Sequence, residues 1–150
     1  MLQCSGKTRV WPVDVVNSET RSRMMRSVRG KHTKPEMVVR RTAHGLGYRY
    51  RLHCSSLPGR PDLVFASYKA AIFVNGCFWH QHSCAKGKIP ASNSAFWQKK
   101  LLRNVERDCQ AHSALLQNGW KVLVVWECET RDVSRLRVLL TDFLVRRGAK

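Results

Sequence analysis

Acidic residues are scarce in this chain. Only 10 Asp and Glu stand against 27 Lys and Arg, a formal net charge of +17 at pH 7 over 150 residues. That imbalance points to a polyanionic partner, nucleic acid ahead of a membrane surface. Long apolar runs are lacking too, and none approaches the roughly 20 residues of a membrane-spanning helix. No basic segment shows a clean lipid-facing side, so no membrane partner is expected. The N-terminal residues lack the pattern of a secretory signal. The six cysteines therefore read as metal ligands and buried thiols, not as a disulfide framework. Cys4 and Cys54 have no evident partner, and Cys109 reads as a small core residue. Internal repeats and low-complexity tracts are missing as well.

What is present suits a packed domain. Hydrophobic content is 43%, with five Trp and five Phe, which favours a folded core over a disordered basic tail. A basic ribosomal or histone-like protein is the plain alternative. Residues 1–18 show no periodicity and read as a mobile arm, leaving 19–150 as a single domain. A short basic helix is expected over 20–30, with Met24 and Met25 among its arginines. Thr33-Lys34-Pro35-Glu36 has the pattern of a capping box and opens a helix to about His44, ended by Gly45. Residues 47–53 alternate Tyr48, Tyr50 and Leu52 against Arg49, Arg51 and His53, a half-exposed strand with a basic outer face. The turn Leu57-Pro58-Gly59-Arg60-Pro61 leads to Asp62 and the apolar run 63–66. Runs 70–74 and 122–126 read as central strands covered on both faces. A long helix over 94–117, closed by Asn118-Gly119, separates them. A last amphipathic helix is expected over about 132–147. This order gives an α/β fold, a mixed sheet flanked by helices.

The chemistry is concentrated in 75–84, Asn-Gly-Cys-Phe-Trp-His-Gln-His-Ser-Cys. Thiols and imidazoles packed this densely are the donor set that Zn²⁺ selects. Cys77, His82 and Cys84 supply three ligands, and Cys128, just past another apolar run, is the candidate for the fourth. Such a shell is closed to catalytic water, so the zinc would be structural. The alternative is a set of buried thiols beside a surface histidine. His80 is left over within the cluster. Asp62, held by its turn at the head of a strand, suits a Mg²⁺ ligand, or simply ends the turn. Asp108 falls on the stripe of Leu101, Val105, His112 and Leu115, aimed at the sheet, and needs a partner there. His80 would make it an oriented general base; an arginine would make a plain salt bridge. Glu36 fits a helix cap. Phe78, Trp79 and Trp97 are core residues or rigid wedges for a base stack, and Met24 and Met25 invite the same question.

Taken together, Pro58-Gly59-Arg60-Pro61-Asp62, Gly76-Cys77-Phe78-Trp79-His80, His82, Cys84, Asn104-Val105-Glu106-Arg107-Asp108, Gly119-Trp120 and Val125-Trp126-Glu127-Cys128 closely resemble the very short patch repair (Vsr) DNA mismatch endonucleases. The likeness spans about 14–143. It implies a restriction-endonuclease-like fold and nicking of one strand 5′ to the T of a T:G mismatch left by deaminated 5-methylcytosine. By position it implies Mg²⁺ on Asp62 and the Val74 backbone carbonyl, and His80 as base with Asp108. Glu36 would join that active site, with Cys77, His82, Cys84 and Cys128 on zinc. It further implies that Phe78, Trp79 and Trp97 intercalate from the major groove, and Met25 from the minor-groove side. The expected setting is the bacterial cytoplasm, close to the nucleoid. The expected partners are mismatched duplex and repair proteins, engaged by a monomer. The chain departs from the pattern at Asn75, where many relatives have His, and at Val74, often Thr.

Overall fold

The computed structural model describes residues 19–20, 22–23 and 30–145. The arm at 1–18, Met24 and Met25 with most of the basic segment around them, and the last five residues lie outside the described residues.

Helix α1 (Lys34–Gly45) starts as its sequence dictates. The Thr33 side chain accepts from the Glu36 N–H, the Glu36 carboxylate accepts from the Thr33 N–H, and Pro35 occupies the first turn. Gly45 does not stop it. The left-handed residue that does is Gly47, with φ 89°, whose N–H bonds back to the His44 carbonyl at 2.9 Å.

Strand β1 (Arg51–Leu52) is far shorter than the alternation suggested. Tyr48 and Tyr50 do turn inward, both edge-on to Phe65. The pattern then breaks: Leu52 is 41% exposed, and His53 takes a left-handed conformation, φ 45°. His53 is thereby rotated from the expected outer face towards the interior. Strand β2 (Leu63–Phe65) ends one residue earlier than expected, since Ala66–Tyr68 form a 3₁₀ turn. Strands β3 (Ala70–Asn75) and β4 (Lys121–Trp126) complete the sheet, in the order β1-β2-β3-β4. Neighbours are antiparallel except β3 and β4, which are parallel. The parallel pair needs a crossover, and helix α2 (Ser94–Gln117) provides it. Helix α3 (Val133–Phe143) ends before the expected 147, with Leu144 as its C-cap.

Alternate residues of β3 face two different cores, which explains its unbroken apolar run. Ala70 and Ile72 pack with Val39, Ala43, Leu136 and Leu140 of α1 and α3. Ala71 and Phe73 pack on the α2 side with Leu115. Each fully buried Leu, Ile or Phe contributes about 1.5–3 kcal/mol of transfer energy. Strand β4 differs from expectation: it lies at the sheet edge, and only Val125 is buried. Cys109 is also displaced from its expected place, exposed on the outer side of α2.

Candidate metal centre and active site

The parallel pairing of β3 and β4 creates the first cluster. Their last residues, Asn75 and Trp126, are partners in register, so the loops that follow leave the same end of the sheet side by side. Cys77 and Cys128 each stand two residues past a strand end. The loop after β3 then turns back on itself: the His82 N–H bonds to the Cys77 carbonyl at 2.9 Å, and the His82 ring stacks on Trp126 at 4.4 Å. The donor atoms of Cys77, His82, Cys84 and Cys128 all lie within 4.8 Å of one another. Cys128 Sγ is 3.5 Å from His82 Nδ1. That matches the roughly 3.5 Å sulfur–nitrogen edge of a tetrahedron with zinc-type bond lengths. Burial pushes the Cys77 thiol up to about 12, whereas the His82 side chain draws the Cys84 thiol down to about 6. A soft metal ion would displace the Cys77 proton and meet Cys84 already inclined to the thiolate. The Lys86–Glu127 pair at 2.5 Å, partly exposed, ties the same two loops together and contributes little by itself.

The second cluster lies across the sheet end. Asp62 precedes β2, opposite the part of β3 that includes Val74, and its Oδ2 accepts from the Val74 N–H at 2.7 Å. Burial raises its pKa from 3.8 to about 6, against the lowering pull of that hydrogen bond. Glu36 is 3% exposed and serves two ends at once. Its Oε1 caps α1, while its Oε2 accepts from Arg40 at 2.8 Å and from the His32 N–H at 3.0 Å. Donor atoms of Glu36, His53 and Asp62 come within 4.8 Å of one another; the two carboxylates are the oxygen donors that a hard divalent cation takes, with the imidazole beside them. Burial lowers the His53 pKa, opposed by nearby Glu36. His53 and Arg40 were not singled out from the sequence. Arg40, four residues after Glu36 on one helix side, carried a usable signal; His53 carried none.

His80 and Asp108 meet between the clusters, His80 Nδ1 hydrogen-bonded to Asp108 Oδ2. The carboxylate does aim inwards, but at 28% exposure it remains reachable from water, as does His80 at 26%. With Nδ1 engaged, the imidazole has Nε2 left for chemistry. Asp62, His80, Asp108, Glu36 and His53 all line one open cleft of about 820 Å³, whose rim includes Lys31, Arg60 and Arg107. Asn75 also lines it, 6% exposed.

The aromatics form a third group beside the cleft. Phe78 and Trp79 pack edge-on at 5.1 Å, and each also meets Trp97, at 5.3 and 6.2 Å. The Asn104 side chain donates to the Trp79 carbonyl at 3.1 Å. Trp97 is only 4% exposed and acts as a base for the other two, while its neighbour Phe96 is 59% exposed. A wedge role for Trp97 would require this group to open. Lys100 Nζ lies 5.5 Å from the Trp79 ring centre.

Comparison with known proteins gives concordant likenesses. The profile of the family described as DNA mismatch endonuclease Vsr matches residues 13–86. The DNA mismatch endonuclease Vsr of Escherichia coli (strain K12) is 43% identical over 123 residues, 82% of this chain and 79% of that protein. The type II nicking enzyme V.XorIIP of Xanthomonas oryzae pv. oryzae is 44% identical over 131 residues, 87% of this chain and 96% of the relative. V.NmeAIP, a type II nicking enzyme of Neisseria meningitidis, is 44% identical over 124 residues, 83% and 89% of the two chains.

Proposed function

The chain belongs to the Vsr family of DNA mismatch endonucleases, and we propose that it nicks one strand of duplex DNA at a T:G mismatch to begin very short patch repair. The observation that carries this reading is the convergence of the His80–Asp108 pair and Asp62 on one basic-rimmed cleft. His80 takes a proton from the attacking water at Nε2. Asp108 holds Nδ1–H and offsets the positive charge that the ring then acquires. The resulting hydroxide attacks phosphorus, and the bond to the leaving sugar oxygen breaks in line. Asp62 and the Val74 carbonyl would hold Mg²⁺, with Glu36 beside them. Bound there, the ion supplies charge neutralisation at the scissile phosphate and the leaving oxygen. Lys31, Arg60 and Arg107 grip the backbone without reading sequence.

Zinc on Cys77, His82, Cys84 and Cys128 would brace the loop carrying His80, Phe78 and Trp79. Those two rings, with Trp97 beneath them, reward a mismatch because a mispaired step unstacks more cheaply than a sound one. Met25 would enter from the opposite groove. The protein would act as a monomer on bacterial DNA in the cytoplasm, alongside repair partners. The test is Asp62→Ala, assayed on T:G duplex by product gel and by mobility shift. Nicking should vanish while binding persists. A wild-type protein that never cuts this duplex with Mg²⁺ present would instead be a zinc-braced DNA-binding module.

A further inference from the structure

Arg40 is an arginine buried to 5% exposure beside the cation site, and its planar fork is nearly fully used. Nη2 donates to Glu36 Oε2 at 2.8 Å and meets His53 Nε2 at 2.9 Å. Nη1 meets His32 Nδ1 at 2.7 Å and donates to Met37 Sδ at 3.6 Å. A guanidinium has donors only, so both imidazole nitrogens facing it must accept. Each ring is then neutral and locked in one tautomer. For His53 the remaining proton sits on Nδ1, the nitrogen 3.7 Å from Asp62 Oδ1. Oδ2 of the same carboxylate is already taken by Val74. The two histidines meet edge to face at 5.5 Å, and both hold left-handed backbone, φ 55° and 45°. That conformation is costly without glycine and clusters where function demands it.

From this geometry we infer that Arg40 and His53 are positioning residues of the cation site. One guanidinium pins Glu36 directly and, by fixing the His53 tautomer, turns an N–H towards the free oxygen of Asp62. The inference rests on Asp62 being the cation ligand. Partners of this kind typically govern metal affinity by about 10–100-fold.

The experiment uses the full zinc-loaded chain with Mn²⁺ alone as probe, free Mn²⁺ being counted by electron paramagnetic resonance. His53→Ala should weaken Mn²⁺ binding by about tenfold or more. His53→Asn, whose side-chain amide offers an N–H where Nδ1–H stood, should recover most of that loss. Arg40→Lys keeps the charge but not the fork and should behave as His53→Ala does. Zinc content and melting temperature report folding of each variant. Equal Mn²⁺ affinity in wild type and His53→Ala, or equal loss in the Ala and Asn variants, overturns the inference. Mn²⁺ binding that survives Asp62→Ala overturns the proposed cation site itself, a different failure.

Discussion

His80 and Asp62 share a cleft but are set by different neighbours. His80 is oriented by Asp108, so truncating it should remove the proposed base and leave the proposed metal loops intact. His80→Ala is expected to slow nicking by about 10²–10⁴-fold at full zinc content, measured by single-turnover cleavage and elemental analysis. Loss of zinc in that variant would mean that the roles of His80 and His82 are interchanged. Asp62 is set by burial, which raises its pKa from 3.8 to about 6. If Asp62 holds the proposed Mg²⁺, its proton competes with the cation below that pH, and the Mg²⁺ concentration for half-maximal nicking should rise about tenfold per pH unit. The sign for metal-free stability is opposite. A raised carboxyl pKa contributes stability that is present below the unfolded value and lost as pH rises through about 6. Mg²⁺ titrations at pH 5 and pH 7.5 that superimpose would contradict the assignment. At this scale the clustering of Cys77, His82, Cys84 and Cys128 was legible in the sequence, because three of the four crowd one short segment. The Arg40–Glu36 pair was open to reading from its i, i+4 spacing, but His53 was not, since its meaning arises only when α1 and the start of the sheet meet.

Among the elements, the loop after β3 does most to shape the site, and it has no regular structure beyond a 3₁₀ turn at Ala85–Gly87. Its closure depends on Gly87. A Cβ there would stand 1.9 Å from the His82 carbonyl oxygen, a backbone atom that cannot swing aside. Gly87→Ala should therefore push the His82 segment away from Cys128, costing about 1–3 kcal/mol and weakening zinc retention. Thermal melting and a competition titration with a chromophoric chelator would measure both. A variant that melts and holds zinc like the wild type would remove this loop from the account. The helices were readable from local signals: the capping box of α1 and the bounds of α2 stand where the sequence put them. Strand β1 was overestimated, because alternation records which way side chains face but not whether a partner strand extends alongside.

For the molecule as a whole, the two clusters stand on opposite flanks of the β3 end, one of soft donors and one of hard. Stripping the soft site should leave unpaired thiols among buried neighbours and release the segment carrying Phe78, Trp79 and His80. Chelation is therefore expected to lower the melting temperature and abolish nicking even when Mg²⁺ is resupplied, with zinc readdition restoring both. Nicking that persists in zinc-free protein would separate the braced loop from catalysis. The net charge of +17 acts at this scale too, as an unselective pull on the DNA backbone that weakens with salt.

The sequence by itself determined the donor inventory, the basic surface, the helix starts and the apolar runs, because each depends on residues within a few positions of one another. Tertiary structure alone decided that Cys128 reaches His82, that β4 lies at an edge, that Trp97 is buried beneath Phe78 and Trp79, and that His53 turns inwards. Those outcomes depend on the parallel register of two strands separated by a long helix, and on backbone strain that only surrounding packing can hold in place.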